Sequence, residues 1–226
     1  MFSKNGVTGG HRTLQIVCCL KSGGDFCWDY VDKLHENLLE KLHHSFEFTV
    51  FTDKTDRFSL NGINIQPLET DLESYWSKLE VFRMTGQVVY FDLDVILMQG
   101  LDELFRAVEF SPCRTNANNH FYMMNAFNAS HPFNSSIMAW SGDFSYLLNN
   151  VNQNVLDRYG KWDQDYISDE VSKTNEILSV NDFINVASYK HHCKDGVDDM
   201  VDIVVFHGHP RPRDVNWLGT CKELKI

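Results

Sequence analysis

Val88-Val89-Tyr90-Phe91-Asp92-Leu93-Asp94 is an apolar, β-rich run that breaks into two carboxylates at i and i+2. Val95-Ile96-Leu97 follows at once, so the two acids sit inside an otherwise apolar stretch. Burying such acids is costly unless they are paired or bound to a cation. At a strand end both can reach one hard ion, and oxygen ligands suit Mg²⁺ or Mn²⁺, ions that usually also hold substrate phosphates. The alternative is a polar strand terminus with two solvated acids.

The flanking pattern supplies the frame. Leu14 to Leu20 reads as a buried first strand, broken by Ser22-Gly23-Gly24. Tyr30, Val31, Leu34, Leu38, Leu39 and Leu42 follow helical spacing from Trp28 to Leu42. Phe46 to Phe51 alternates as a strand, and Ile63 to Ile65 is a short strand before Pro67. Asp71 is a candidate cap for a helix through Trp76, Leu79 and Phe82. Beyond the acidic pair, Leu101 to Val108 reads as a short helix and 111–135 as irregular. Ser136 to Trp140 is a strand, 143–149 and 163–171 are helical, and 177–180 and 201–206 are late strands. Strands alternating with helices predict an α/β fold with a parallel sheet covered on both faces. Ligands in such folds lie beyond the carboxyl ends of the strands, where Asp92 and Asp94 fall.

The 226 residues suit one compact domain over 1–226, with 1–12 a loose polar end. Twenty Lys and Arg against 31 Asp and Glu give a net charge of −11, which argues against a general nucleic-acid binder. No apolar run has the length of a membrane span, and the first residues contain no secretory apolar stretch. Cys18, Cys19, Cys27, Cys113, Cys193 and Cys221 form no CxxC pair and read as reduced structural thiols, so the expected location is cytoplasmic.

Two chemistries fit an acidic pair at a strand end. One is a nucleotide-sugar glycosyltransferase. The other is a haloacid-dehalogenase-like phosphatase with Asp92 as nucleophile, for which Lys194 and Asp198-Asp199 imitate the later motifs. That type of phosphatase usually carries its nucleophile on the first strand, whereas several elements precede Asp92 here. A non-catalytic nucleotide-sugar-binding subunit is a third reading.

Five segments decide between them. Ser77-Lys78-Leu79-Glu80-Val81-Phe82 precedes the acidic pair, and Val89 to Asp94 is followed by Leu101-Asp102-Glu103-Leu104. Phe133-Asn134-Ser135-Ser136-Ile137-Met138, Trp162-Asp163-Gln164-Asp165 and Phe206-His207-Gly208 with Pro210-Arg211-Pro212 complete the series. In this order they resemble the nucleotide-diphospho-sugar glycosyltransferases of the GT-A fold, the glycogenin and lipopolysaccharide galactosyltransferase group. Ser136 departs from the group's glycine, Gly208 adjoins His207 directly, and Arg211 stands where lysine is usual.

The resemblance implies a Rossmann-like GT-A domain with a mixed, mainly parallel central sheet flanked by helices. It implies that Asp92, Asp94 and His207 hold Mn²⁺ or Mg²⁺ with the donor diphosphate, a UDP-sugar being one candidate. Lys78, Gly208 and Arg211 would contact phosphate or donor sugar, with Arg83 a further candidate cation. Asp53 would bond the nucleoside, and Leu20 and Lys21 would flank the base. Asn134 and Asp163 would hold sugar hydroxyls, and Gln164 would lie near the reacting carbon. The group retains anomeric configuration, which implies an oxocarbenium-like state in which the leaving phosphate helps deprotonate the acceptor; Gln164 is then the candidate stabiliser of that state, with Asp163 or Asp165 as a covalent nucleophile the weaker alternative. The acceptor is open among a glycan, a protein, a lipid-linked glycan and a modified nucleobase, without firm membrane attachment. Trp28, Trp76, Trp140 and Trp217 read as core or interface, and Trp162 divides evenly between packing and stacking on an acceptor sugar. His43-His44 and His191-His192 read as surface histidines, and Asn116 to Asn119 as a loop.

Overall fold

Leu14–Leu20 forms β1, and its neighbours in the sheet explain why it is apolar on both faces. The computed structural model describes residues 13–55, 62–110 and 119–215. The expectations for residues 1–12, Cys113, Asn116 to Asn118, Trp217 and Cys221 lie outside the described residues. After β1 come α1 (Trp28–Lys41), β2 (Phe46–Thr52), β3 (Ile63–Pro67) and a 3₁₀ segment, Ser74–Arg83. β4 (Gly86–Phe91), β5 (Val95–Leu97), α2 (Asp102–Phe110), β6 (His120–Asn125) and β7 (Phe133–Gly142) follow. The rest is α3 (Tyr146–Asn149), α4 (Gln153–Tyr159), α5 (Asp163–Ser172), β8 (Ile177–Ser179), β9 (Val186–Ser188), α6 (Tyr189–His192) and β10 (Ile203–Val205).

Seven strands make the main sheet in the order β3-β2-β1-β4-β7-β6-β8. β3, β2, β1 and β4 run parallel, β4·β7 and β7·β6 are antiparallel, and β8 is parallel to β6. The expected mixed, mainly parallel α/β sheet flanked by helices is the observed architecture. A second sheet, β5-β10-β9, continues from the acidic pair.

The period of two along β4 sorts its side chains between two cores. Val89 and Phe91 face one layer with Ile16, Cys18, Leu34, Leu38 and Leu104. Val88 and Tyr90 face the other with Val17, Trp76, Leu79, Phe82, Trp140 and Tyr166. Buried polar groups in the second layer are satisfied: Trp76 Nε1 donates to Gly160 O at 2.7 Å and Trp140 Nε1 to Met84 O at 3.2 Å. Trp28 packs partly buried against the first layer.

Three local expectations change. Residues 74–83 form a 3₁₀ segment that begins at Ser74 in the left-handed region (φ 51°), and Glu73 rather than Asp71 occupies the cap position. Part of the stretch read as irregular is β6, because Phe121, Tyr122, Met123 and Met124 are buried between β7 and β8. The helix expected over 143–149 is the single turn α3, and α4 and β9 add elements that the sequence reading did not contain. The four described cysteines, Cys18, Cys19, Cys27 and Cys193, are free thiols. No helix among the described residues is long and apolar enough to cross a membrane.

Candidate active site

Because β1, β2 and β4 are parallel, their carboxyl ends open onto one edge of the sheet. β7 is antiparallel to β4 with Phe91 opposite Ile137, so its first residues, Asn134 and Ser135, arrive at the same edge. A cavity of about 980 Å³ opens there. That is at the upper end of the roughly 300–1,000 Å³ of ligand pockets. Lys21, Lys78, Asp92, Asp94, Asn134, Asp163, Gln164, His207, Gly208 and Arg211, all expected from the sequence, line it.

Asp92 follows β4 directly, fixed by its backbone N–H donating to Ser136 O at 2.8 Å. Its Oδ1 accepts from the Tyr90 hydroxyl at 2.5 Å and faces Lys78 Nζ at 2.8 Å. Lys78 is only 7% exposed. Its ammonium also donates to Ser135 Oγ at 3.1 Å and lies 3.5 Å from Asp163 Oδ2, which accepts from the Ser135 hydroxyl at 2.7 Å. Burial opposes the Lys78 charge, but Asp163 and Asp92 outweigh it and hold the ammonium protonated above its usual range. Burial lifts the Asp163 carboxyl, against the pull of Lys78 and Ser135.

Asp94, 5% exposed, pairs with Arg211 Nη1. Burial and the neighbouring Asp92 charge lift its carboxyl well above the usual carboxylate range, against the Arg211 guanidinium. Arg211 also donates through Nε and Nη2 to Asp25 Oδ2, both at 3.2 Å, and lies over the Phe26 ring. It therefore ties the loop after β1 to the acidic pair.

Asn134 and Gln164 meet across thirty residues of sequence, with Asn134 Nδ2 donating to Gln164 Oε1 at 3.2 Å. Asn134 is itself held by accepting from the Ser136 N–H at 2.8 Å. Asp165 does not share this contact; it pairs with His131 Nδ1 at 2.7 Å. Trp162, 43% exposed, lines the cavity with His131 packed on it at 4.6 Å.

Several expectations need correction. Leu20 is fully buried in the first core layer and does not line the cavity, because a strand buried on both faces turns that side chain inward. Asp53 does not line it either: its carboxylate accepts from the Ser22 N–H at 2.8 Å and from the Ser22 hydroxyl, and lies 3.8 Å from Lys21. It braces the loop after β1. Arg83 faces away, paired with Glu80 and Glu69. Lys194, Asp198 and Asp199 do not line the cavity, so the residues that would serve a phosphatase are not assembled around Asp92.

His207 is brought to the site but not to the acidic pair. The Phe206 N–H donates to Asp94 O at 3.0 Å, which sets the chain beside Asp94. The imidazole instead has Nε2 2.7 Å from Ser188 Oγ and stacks on Phe127 at 5.3 Å. Burial, with Lys190 and His191, pushes its pKa down and keeps it neutral. Among the described residues no three His, Cys, Asp or Glu side chains converge as a metal-ligand group. The chemistry of Asp92 and Asp94 still fits a divalent cation, as two oxygen donors on one cavity wall.

The sequence reading missed Asp25, Tyr90, Ser135 and Lys190. The first three touch the expected residues directly; Asp25 follows β1, Tyr90 stands near the end of β4 and Ser135 near the start of β7, all at the cavity edge, and that placement is the available signal. Cys19 also reaches the cavity, but burial pushes its thiol up to about 12, so it offers no thiolate.

No protein-family model matches the sequence, and no curated protein matches it. Solved structures do. The galactosyltransferase LgtC, in complex with donor and acceptor sugar analogs, superposes with a TM-score of 0.57 at 12% identity, over 92% of each chain. The glycosyltransferase GlyE of Streptococcus pneumoniae TIGR4 gives 0.55 at 12% identity, over 88% of this chain and 56% of its own. The bifunctional glycosyltransferase WbbM gives 0.54 at 11% identity, over 88% of this chain and 46% of its own. The chain thus spans about half the length of GlyE and WbbM. The fold of this protein is the GT-A fold of these glycosyltransferases.

Proposed function

We propose that the protein is a glycosyltransferase acting as one domain, taking its sugar from a nucleotide-diphosphate donor with a divalent cation at Asp92 and Asp94. The observation that carries this reading is the charge balance at the centre of the cavity. Asp92, Asp94 and Asp163 gather around two cations, Lys78 and Arg211, and Asp25 shares Arg211, so carboxylates outnumber cations in this cluster. Mn²⁺ or Mg²⁺ suits such a carboxylate-rich cluster and, once held there, would present positive charge to a diphosphate. His207 would complete the ligand set on release from Ser188. The cation supplies Lewis-acid neutralisation of the leaving diphosphate.

The chain's own residues then position the donor. Asn134 and Gln164 present amides to the sugar, with Gln164 toward the anomeric carbon. Asp163, committed to Lys78 and Ser135, holds that wall in place. Transfer with retention belongs to the same proposal: the phosphate oxygen that leaves the anomeric carbon takes the acceptor's proton as the acceptor oxygen bonds to that carbon. The acceptor is a glycan, protein, lipid-linked glycan or modified nucleobase. A cytosolic setting belongs to the same proposal and rests on the cysteine pattern.

The test is release of nucleoside diphosphate from a panel of UDP-, GDP-, CDP-, ADP- and TDP-sugars with Mn²⁺ and no acceptor. Slow hydrolysis of at least one donor, abolished by a chelator, is expected. Hydrolysis of a generic phosphate ester with Mg²⁺ and of no sugar nucleotide would overturn the reading in favour of a phosphatase. Metal-dependent binding of a sugar nucleotide without turnover, even with acceptors added, would favour a binding subunit.

A further inference from the structure

Five Lys and Arg side chains line the cavity: Lys21, Lys78, Lys161, Lys190 and Arg211. Lys21 faces Asp53, Lys78 faces Asp92 and Asp163, and Arg211 faces Asp94 and Asp25. The Lys161 ammonium lies over the Trp162 ring at 5.0 Å. Lys190 has neither a carboxylate nor an aromatic partner among the described residues.

Its place is nonetheless fixed. β9 pairs with β10 up to Ser188 opposite Val205, and Tyr189 stacks on Phe206 at 4.3 Å, which anchors the start of α6. From there the Lys190 ammonium reaches the backbone of Gly208, 3.1 Å from where a Cβ on that residue would stand. Gly208 lies at φ +77°, a conformation that favours glycine, and a side chain there would crowd the ammonium. Two residues earlier, the Phe206 N–H is bonded to Asp94 O. The uncommitted cation therefore lies along the same short segment that borders the acidic pair. The neighbouring His191 and the neutral His207 bring no negative charge to this corner.

We infer that Lys190 is a positioning residue for the donor, its ammonium binding the diphosphate beside the acidic pair. This rests on the function proposed above. A phosphate that reaches Lys78 or Arg211 must first compete with their carboxylates, whereas Lys190 faces no carboxylate among the described residues. A charge-assisted bond of this kind is worth about a 10- to 100-fold change in affinity.

The test is calorimetric titration of the full chain with UDP and, separately, with inorganic pyrophosphate, both with Mn²⁺. Wild type, Lys190→Met and Lys190→Arg are compared, with melting curves for each. The expected result is about 10- to 100-fold weaker binding for Lys190→Met at an unchanged melting temperature, and recovery to within about threefold in Lys190→Arg. A merely structural role would not be rescued by the charge in this way. Wild-type affinity in Lys190→Met, or loss of affinity in both variants alike, would overturn the inference while leaving the proposed function standing. Failure of the wild type to bind either ligand, extended to the other nucleoside diphosphates, would overturn both.

Discussion

Asp94→Asn is expected to reduce sugar-nucleotide turnover by roughly 10³-fold while leaving the protein folded. The size follows from the several kcal/mol of charge stabilisation that a bound cation contributes to a leaving diphosphate. The preserved fold follows from the surroundings. Asp94 is buried, and burial and Asp92 already raise its carboxyl, so a neutral amide of the same shape is well tolerated there. Arg211 keeps its second carboxylate, Asp25, and does not become a stranded charge. Melting temperature and donor hydrolysis measured together check this. Activity within threefold of wild type would remove Asp94 from the site.

Lys78→Met is expected to act on stability first. Lys78 is the buried cation between Asp92 and Asp163, and removing it leaves two carboxylates without their counter-ion. Breaking a buried pair from one side costs about 3–5 kcal/mol. For a domain of this size that lowers the melting temperature by roughly 6–20 °C. The pH dependence has a defined sign. Asp163 already has a folded pKa above its ordinary value, and loss of Lys78 raises it further. A carboxylate with a raised folded pKa binds more protons in the folded state, so stability falls as pH rises through and above the unfolded value of about 3.9. The variant's deficit relative to wild type is therefore smallest in acid and largest near neutrality. The double variant Lys78→Met with Asp163→Asn should recover part of the loss, since the two positions are coupled. A deficit independent of pH would contradict the assignment.

How legible these features were in the sequence depended on their range. β1 and α1 were readable because each carries its own period, buried on both faces in one case and amphipathic in the other. Trp76, Leu79 and Phe82 predict a helix capped by Asp71, and the structure forms a 3₁₀ segment over Ser74–Arg83. That strict spacing of three is the 3₁₀ period, so the signal was present in the residues themselves. β6 was hidden by its Asn- and Ser-rich flanks, although Phe121 to Met124 is a continuous apolar run. β9 has three residues, too few to display any period.

At the site, residue types were legible and partners were not. The edge carrying Asp92 and Asp94 could be placed because a strand end is a local property. The Asn134 to Gln164 contact, like the commitment of Lys78 to Asp163 and of Arg211 to Asp25, is tertiary. The same holds for His207. Its neighbours in sequence suggested a ligand, while Ser188, nineteen residues earlier, takes its ring nitrogen. Lys190 carries no signal in the sequence, standing outside every motif beside His191-His192. What marks it is that, among the described residues, it has no carboxylate or aromatic partner in a cavity where the other cations have one, which only the folded chain displays.

On the proposed function, this cavity takes a nucleoside diphosphate through a divalent cation on the acidic pair. Calorimetric titration of the wild-type protein with UDP, with and without Mn²⁺, tests it most directly, followed by GDP, CDP, ADP and TDP if UDP does not bind. Binding of at least one of them that requires Mn²⁺ and disappears in Asp94→Asn is expected. Binding of equal strength in the presence of a chelator, or no binding of any of the five with Mn²⁺, would contradict it.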